Sequence, residues 1–243
     1  MRARITFQVM TAHNGERRHL VFDADDTLWD SNIHFLEAFA QFAAAAAECG
    51  AAPCEQSAAD AVRRAELKLI LTHGYGRRPY VLALHQAAGE LADGARAAAL
   101  HAEVDRIGEY LCARDCPLLP GVEETIAVLA RRHHLMIFTK GQRDEQLDKL
   151  RRSGLHAHFS RVETPREKDT DAYRRLIDEA GLRPELTWMI GNSPRSDINP
   201  AVRAGLRAVY IPHPHTWELE HEAIMPDDRI VHLDSFRRLL DLF

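Results

Sequence analysis

"LVFDADDTLWD", residues 20–30, sets four carboxylates behind a short apolar run and places Thr27 among them. Like charges this close repel. A solvated turn tolerates them, whereas a metal site requires them, and the sequence on either side decides which reading holds. From Ser31 to Cys116 the pattern is helical, with no convincing strand. Phe35, Phe39 and Phe42 recur at helical spacing ahead of "FAAAAAECG". Val62, Ala65, Leu69 and Ile70 mark a second helix, Val81, Leu84, Ala88 and Leu91 a third, and Leu100, Val104, Ile107 and Leu111 a fourth. Each stripe is apolar on one side only, as in a small bundle.

After "CPLLPG" the texture changes. Helices expected at about 121–133, 142–153, 170–180 and 197–204 lead in turn to short β-runs, "LMIFT" (135–139), "HFSRV" (158–162), "TWMIG" (187–191) and "AVYIP" (208–212). Such alternation predicts an α/β fold with a parallel sheet covered on both faces. Residues 20–23 supply its missing first strand, so the helical block is an insertion. The expected division is a core of residues 1–30 and 117–243, with an inserted all-α unit at 31–116.

Bulk properties narrow the field. The 243 residues carry 46% hydrophobic and 28% charged side chains, and 31 Lys+Arg against 36 Asp+Glu give a net charge of −5. The arginines are interleaved with acids, so nucleic acid is not an expected partner. No apolar run approaches the ~20 residues of a membrane span, and the first residues lack the apolar core of a signal peptide. Residues 1–18 are expected to form a flexible leader, and translation could begin at Met10. A cytoplasmic monomer or homodimer is expected. Cys49, Cys54, Cys112 and Cys116 are sparse, and "CARDC" is one residue too long for a CxxC pair, so reduced thiols are expected.

In open α/β sheets ligands bind beyond the carboxyl ends of the strands. There stand Asp23, Asp25, Asp26 and Thr27 after the first strand, "TKG" (139–141) after the second, Lys168 ahead of the fourth, and "GNSPRSD" (191–197) after it. "DADDT" resembles the DxDxT signature of the haloacid dehalogenase-like superfamily. Thr139 resembles its second motif, Lys168 its third, and "GNSPRSD" is similar to its fourth, GDxxxxD. The four occur in order across the whole core, and the insertion sits where that superfamily places a C1-type helical cap.

The resemblance implies a Rossmann-like core and a Mg2+-dependent phosphatase acting on a small phosphorylated metabolite. Asp23 would be the nucleophile, forming an aspartyl-phosphate. Asp25 would protonate the leaving oxygen and later activate water. Thr139 would donate to a phosphoryl oxygen, and Lys168 would offset negative charge. Asp23, Asp25 through its carbonyl, Asn192 and Asp197 would hold Mg2+, an ion that prefers oxygen ligands. Lys140, Gly141, Trp29 and Asn32 are candidate substrate contacts, and Lys140 rivals Lys168 as the cation. Asp26 is expected to face solvent or cap the following turn, and Thr27 to steady the loop.

Asp25 argues against a true dehalogenase, since halide leaves without a proton. Asn192 stands where the superfamily usually has Asp, which predicts weaker metal binding. Its other reading is a non-catalytic binding module. A phosphomutase would keep the aspartyl-phosphate and return the phosphoryl group to bound sugar. "HPHTWELEH", with His213, His215 and His221, reads as a surface loop leading to a helix in preference to a zinc site. "HGYGRRPY" (73–80) reads as a turn between helices, its alternative being a substrate-facing loop with Arg77 and Arg78 meeting anions. "RRHH" (131–134) reads as a helix C-terminus.

Overall fold

Leu20, Val21 and Phe22 are all inaccessible to solvent, which places the first strand at the centre of the molecule. The structure is a computed structural model that describes residues 16–243, so most of the expected leader and the alternative start at Met10 lie outside the described residues. Strand β1 (His19–Phe22) is followed by α1 (Asn32–Glu48), α2 (Glu55–His73), α3 (Arg77–Leu91) and α4 (Gly94–Ala113). Then come α5 (Val122–Arg132), β2 (His134–Phe138), α6 (Arg143–Arg152), β3 (Arg161–Glu163), α7 (Thr170–Ala180), β4 (Thr187–Gly191), α8 (Asn199–Arg203), β5 (Arg207–Tyr210) and β6 (Ile230–His232).

The six strands form one parallel sheet in the order β3-β2-β1-β4-β5-β6. Side chains alternate across a strand, and here both faces are covered. Leu20 and Phe22 pack with Ile126, Leu129 and Phe236 on one face. Val21 packs with Met136, Tyr173 and Leu176 on the other. Burial on both faces explains why these strands read as continuous apolar runs. Phe22 pairs with Ile137 on one side and Ile190 on the other, so β1, β2 and β4 end level. The residues that follow them, Asp23, Thr139 and Asn192, must therefore emerge at one edge.

Helices α1–α4 enclose an apolar core of their own, built on Phe42, Leu84, Val104, Ile107 and a set of alanines. The alanines let the helices approach closely. Of the expected aromatic stripe only Phe42 is fully buried, while Phe35 and Phe39 pack at the edge of this core. Among the described residues no helix is long and apolar enough to cross a membrane, and all four cysteines are free.

Several expectations need correction. The sheet has a sixth strand, β6, that the sequence pattern does not reveal. The third β-run is displaced, because residues 155–158 wind into a 3-10 turn before β3. The expected helix at 197–204 is the short α8, preceded by one wide turn, Pro194–Ile198, in which Ile198 N–H reaches Ser193 O at 3.1 Å. The turn at 73–80 is present as Gly74–Gly76, but Arg77 is buried. Its guanidinium bonds Cys112 O at 3.3 Å and Cys116 Sγ at 3.0 Å and lies 3.5 Å from the Glu145 carboxylate, so the anion it meets belongs to the protein itself.

Candidate active site

The level strand ends bring Asp23, Asp25, Thr139, Lys168, Asn192 and Asp197 to the wall of one cavity of about 530 Å³. The opposite wall comes from α1, α2 and α3, through Phe35, Phe39, Val62, Ile70 and Tyr80. The expected catalytic and metal-binding set thus shares a single chamber with the edge of the helical block.

Lys168 sits just before the helix cap of α7, where Asp169 accepts the Ala172 N–H at 2.8 Å. Its Nζ lies 2.8 Å from Asp23 Oδ1 and also bonds Asp197 Oδ1. All three side chains are almost wholly buried. Burial raises the pKa of Asp23 and of Asp197, and Lys168 only partly offsets it. Burial works against the charge on Lys168 too, but Asp197 and Asp23 together hold its pKa above the ordinary lysine range. The rival Lys140 is engaged elsewhere: it bonds Glu220 and lies 4.2 Å from the centre of the Tyr75 ring.

Asp197 is set by the wide turn at 194–198. Its Oδ2 accepts the Ser193 N–H at 2.9 Å, and Tyr173 Oη supports the turn by donating to Ser196 O at 2.9 Å. Gly191 is required here, since a Cβ at that position would lie 2.1 Å from Asp197 Oδ2. Asn192 joins the two sides of the site: Thr27 Oγ1 donates to its Oδ1 at 3.1 Å, and its Nδ2 donates to Thr216 Oγ1 at 2.9 Å. Thr27 thereby steadies the loop as expected.

The donor set can accommodate a hard divalent cation. When both carboxylates are ionised, Asp23 and Asp197 face one ammonium with one negative charge in excess, and Asn192 turns an amide oxygen toward the Asp23–Thr27 loop. Oxygen donors with surplus negative charge suit Mg2+.

Asp25 has partners that sequence reasoning missed. Its Oδ1 accepts from Trp29 Nε1 and from Lys149 Nζ, each at 2.7 Å, and its Oδ2 accepts from Gln146 Nε2 at 2.8 Å. Burial favours its neutral form, but Lys149 and these hydrogen bonds outweigh that and hold the carboxyl below its usual range. The missed signal lies in α6, "RDEQLDKLRR", where Gln146 and Lys149 occupy buried positions beside Leu150. Polar residues on the inward stripe of a charged helix are there to meet a charge.

The expected substrate contacts divide. Lys140, Gly141 and Asn32 line the cavity. Gly141 has φ +112°, and a Cβ there would lie 2.9 Å from Gln146 Nε2. Trp29 is 1% exposed and turned onto Asp25, so it positions the carboxylate and does not face the cavity. Asp26 is buried, so of its two expected roles it caps the following turn and does not face solvent. Its Oδ1 accepts the N–H groups of Ser31 and Asn32 at 2.9 and 3.0 Å, and its own backbone is left-handed at φ 61°. Burial pushes its carboxyl up to about 7. The loop at 213–217 also departs from expectation. The His213 side chain is only 8% exposed and lies against Asp26 and Asp30, because the loop folds inward over the Asp23–Thr27 turn.

Comparison with known proteins agrees with this architecture. A sequence profile described as "haloacid dehalogenase-like hydrolase" matches residues 18–205. Over 104 residues the chain is 36% identical to phosphoserine phosphatase of Thermus thermophilus, an alignment covering 40% of this chain and 42% of that protein. The chain therefore spans less than half the length of this curated relative. A haloacid dehalogenase-like family hydrolase from Xanthomonas campestris has the same fold with a TM-score of 0.76 at 27% identity, over 93% of this chain and 94% of that one. The HAD-hydrolase YfnB of Bacillus subtilis, solved bound to magnesium, matches at 0.62 and 20% identity, over 93% and 99% of the two chains.

Proposed function

The chain belongs to the haloacid dehalogenase-like hydrolase family, and from that premise we propose that it hydrolyses the phosphomonoester of a small soluble molecule. The observation that carries this reading is the buried Asp23–Lys168–Asp197 cluster, opening with Thr139 and Asp25 into one chamber. Phosphoryl transfer needs little covalent chemistry from the protein. It needs an attacker in line and charge held in place.

In this reading an Asp23 carboxylate oxygen attacks phosphorus, and the ester oxygen leaves with a proton from Asp25. The resulting aspartyl-phosphate is opened by water, whose proton returns to Asp25. Thr139 donates to a phosphoryl oxygen, and the Lys168 ammonium limits repulsion between phosphate and nucleophile. Asp25 begins as a carboxylate held by Lys149. The arriving phosphate, itself negative, favours its protonated form. Asp23, the Asp25 carbonyl, Asn192 and Asp197 would hold Mg2+, which when bound supplies positive charge against the phosphate.

Residues 31–116 act as the cap. The apolar wall they offer, from Phe39 to Tyr80, favours an ester whose alcohol part has an apolar body, and closure over it excludes water and macromolecules. A phosphorylated metabolite of the cytoplasm is the substrate class, and the phosphatase name of the Thermus relative supports the reaction type.

The test is a panel of phosphomonoesters, from phosphoserine to aryl and alkyl esters, assayed for free phosphate with and without Mg2+. We expect Mg2+-dependent release that Asp23→Asn abolishes, with lower KM for the apolar esters. Phosphoryl return to a bound sugar without free phosphate would make the chain a mutase. Halide release from 2-haloacids in EDTA would make it a dehalogenase.

A further inference from the structure

Asp30 Oδ1 and His215 Nδ1 are both buried without a hydrogen-bond partner, and they face each other across 3.9 Å. His213 Nε2 stands 3.8 Å from the same Asp30 oxygen. Donor atoms of the three residues lie within 4.8 Å of one another. At these separations neither imidazole bonds the carboxylate directly, since a hydrogen bond requires ~3 Å. Buried polar atoms left unmatched cost stability, so a carboxylate oxygen and two imidazoles converging without contact imply an atom between them.

We propose that Asp30, His213 and His215 form a binding site for a divalent transition ion of the Zn2+ class, separate from the oxygen-rich cluster at Asp23 and Asp197. A point equidistant from three donors so spaced lies about 2.5 Å from each, a few tenths of an ångström beyond the ~2.0–2.1 Å of zinc–nitrogen and zinc–oxygen bonds. A small inward shift of the rings closes that gap. Two imidazole nitrogens and one carboxylate oxygen select zinc and its borderline neighbours and disfavour Mg2+, which takes oxygen. Three protein ligands leave a place for water.

The surroundings suit the assignment. The loop is fixed before any ion arrives: Thr216 Oγ1 donates to His213 O at 2.9 Å, and Asn32 Nδ2 donates to His215 O at 2.5 Å. The His213 ring is oriented by the His215 N–H, which donates to Nδ1 at 3.3 Å. Ligation through Nε2 moves the ring proton to Nδ1. That long amide contact then gives way to the Asp26 carboxylate, whose Oδ1 is 3.9 Å off. A carboxylate behind a ligating histidine is the usual supporting contact. His215, 36% exposed, gives the ion a path from solvent.

Zn2+ titration of the tag-free chain of residues 1–243, by calorimetry against a competing chelator in excess Mg2+, tests this. We expect one equivalent of Zn2+ bound, and a visible d–d spectrum on substitution with Co2+. His215→Gln, His213→Gln and the near-isosteric Asp30→Asn should each weaken Zn2+ by at least about tenfold. Asp23→Asn and Asp197→Asn should leave it unchanged. Melting curves identify which variants are folded, and Asp30→Asn serves where His213→Gln is not. Equal Zn2+ stoichiometry and affinity in the wild type and the folded site variants would overturn the assignment, as would no binding by the wild type. The titration reads metal and not turnover, so a chain that hydrolysed no phosphoester would still pass or fail it.

Discussion

Lys149 Nζ stands 2.7 Å from Asp25 Oδ1, and that contact keeps ionised the carboxylate that the proposed reaction needs as an acid. Lys149 is 3% exposed and Asp25 about a third exposed, so the pair sits at the boundary between helix α6 and the cavity.

Lys149→Met tests that relationship. Loss of the ammonium lifts the pKa of Asp25. Activity that requires protonated Asp25 falls as pH rises through that pKa. The alkaline limb of the kcat profile should therefore move upward by about one unit or more, most visibly for alkyl esters with poor leaving groups. Stability should fall by about 1–2 kcal/mol, less than the ~3–5 kcal/mol of breaking a fully buried pair because Asp25 meets solvent. An unmoved limb in a folded variant would remove Asp25 from the acid role.

Asn192→Asp adds a negative charge beside Asp23 and Asp197. The Mg2+ concentration for half-maximal hydrolysis should fall, since affinity for a hard cation follows ligand charge. The variant also loses the amide hydrogen bond to Thr216 Oγ1, at about 1 kcal/mol of stability in the absence of Mg2+. A Mg2+ titration of activity, paired with urea melts with and without Mg2+, checks both. An unchanged Mg2+ requirement would take residue 192 out of the ligand shell.

Glu66 lies in the cavity wall on α2, where burial pushes its carboxyl up to about 7, with Glu218 adding to the effect. A carboxyl raised above its ordinary value of 4.5 contributes stability that is complete below that value and is lost as pH rises through 7. Glu66→Gln should therefore be close to neutral at pH 5 and more stable than wild type at pH 8, by about 1–3 kcal/mol. Urea unfolding across that range measures the difference, and parallel curves for the two proteins would refute it.

The main features of the fold and of the candidate site are legible because the sheet obeys a simple rule. Leu20–Phe22, "LMIF" and "WMI" are continuous apolar runs, and the first polar residue beyond each one lands at the same edge. That rule brings Asp23, Thr139, Asn192 and Asp197 to the candidate site, and Lys168 follows from its place before α7. Lys149 and Gln146 were hidden because α6 is charged nearly throughout, so its inward stripe has almost no apolar signal. The direction of Trp29 could not be read, since an aromatic after a catalytic loop suits a cavity wall as well as a carboxylate. "RIVH" is too short at a sheet edge to announce β6. The inward fold of His213 depends on Thr216, Asn32 and Asn192, three residues scattered along the chain.

Asp26 has a wider effect than its size suggests. A glycine at φ 61° would let the turn rock, whereas an aspartate accepts a strained backbone, costing about 1 kcal/mol, and anchors the amides of Ser31 and Asn32. The segment from Asp23 to the first turn of α1 is thereby tied into one bracket. In the proposed reaction, any swing that opens the mouth to the ester has to pivot elsewhere, and Asp23 keeps its aim throughout.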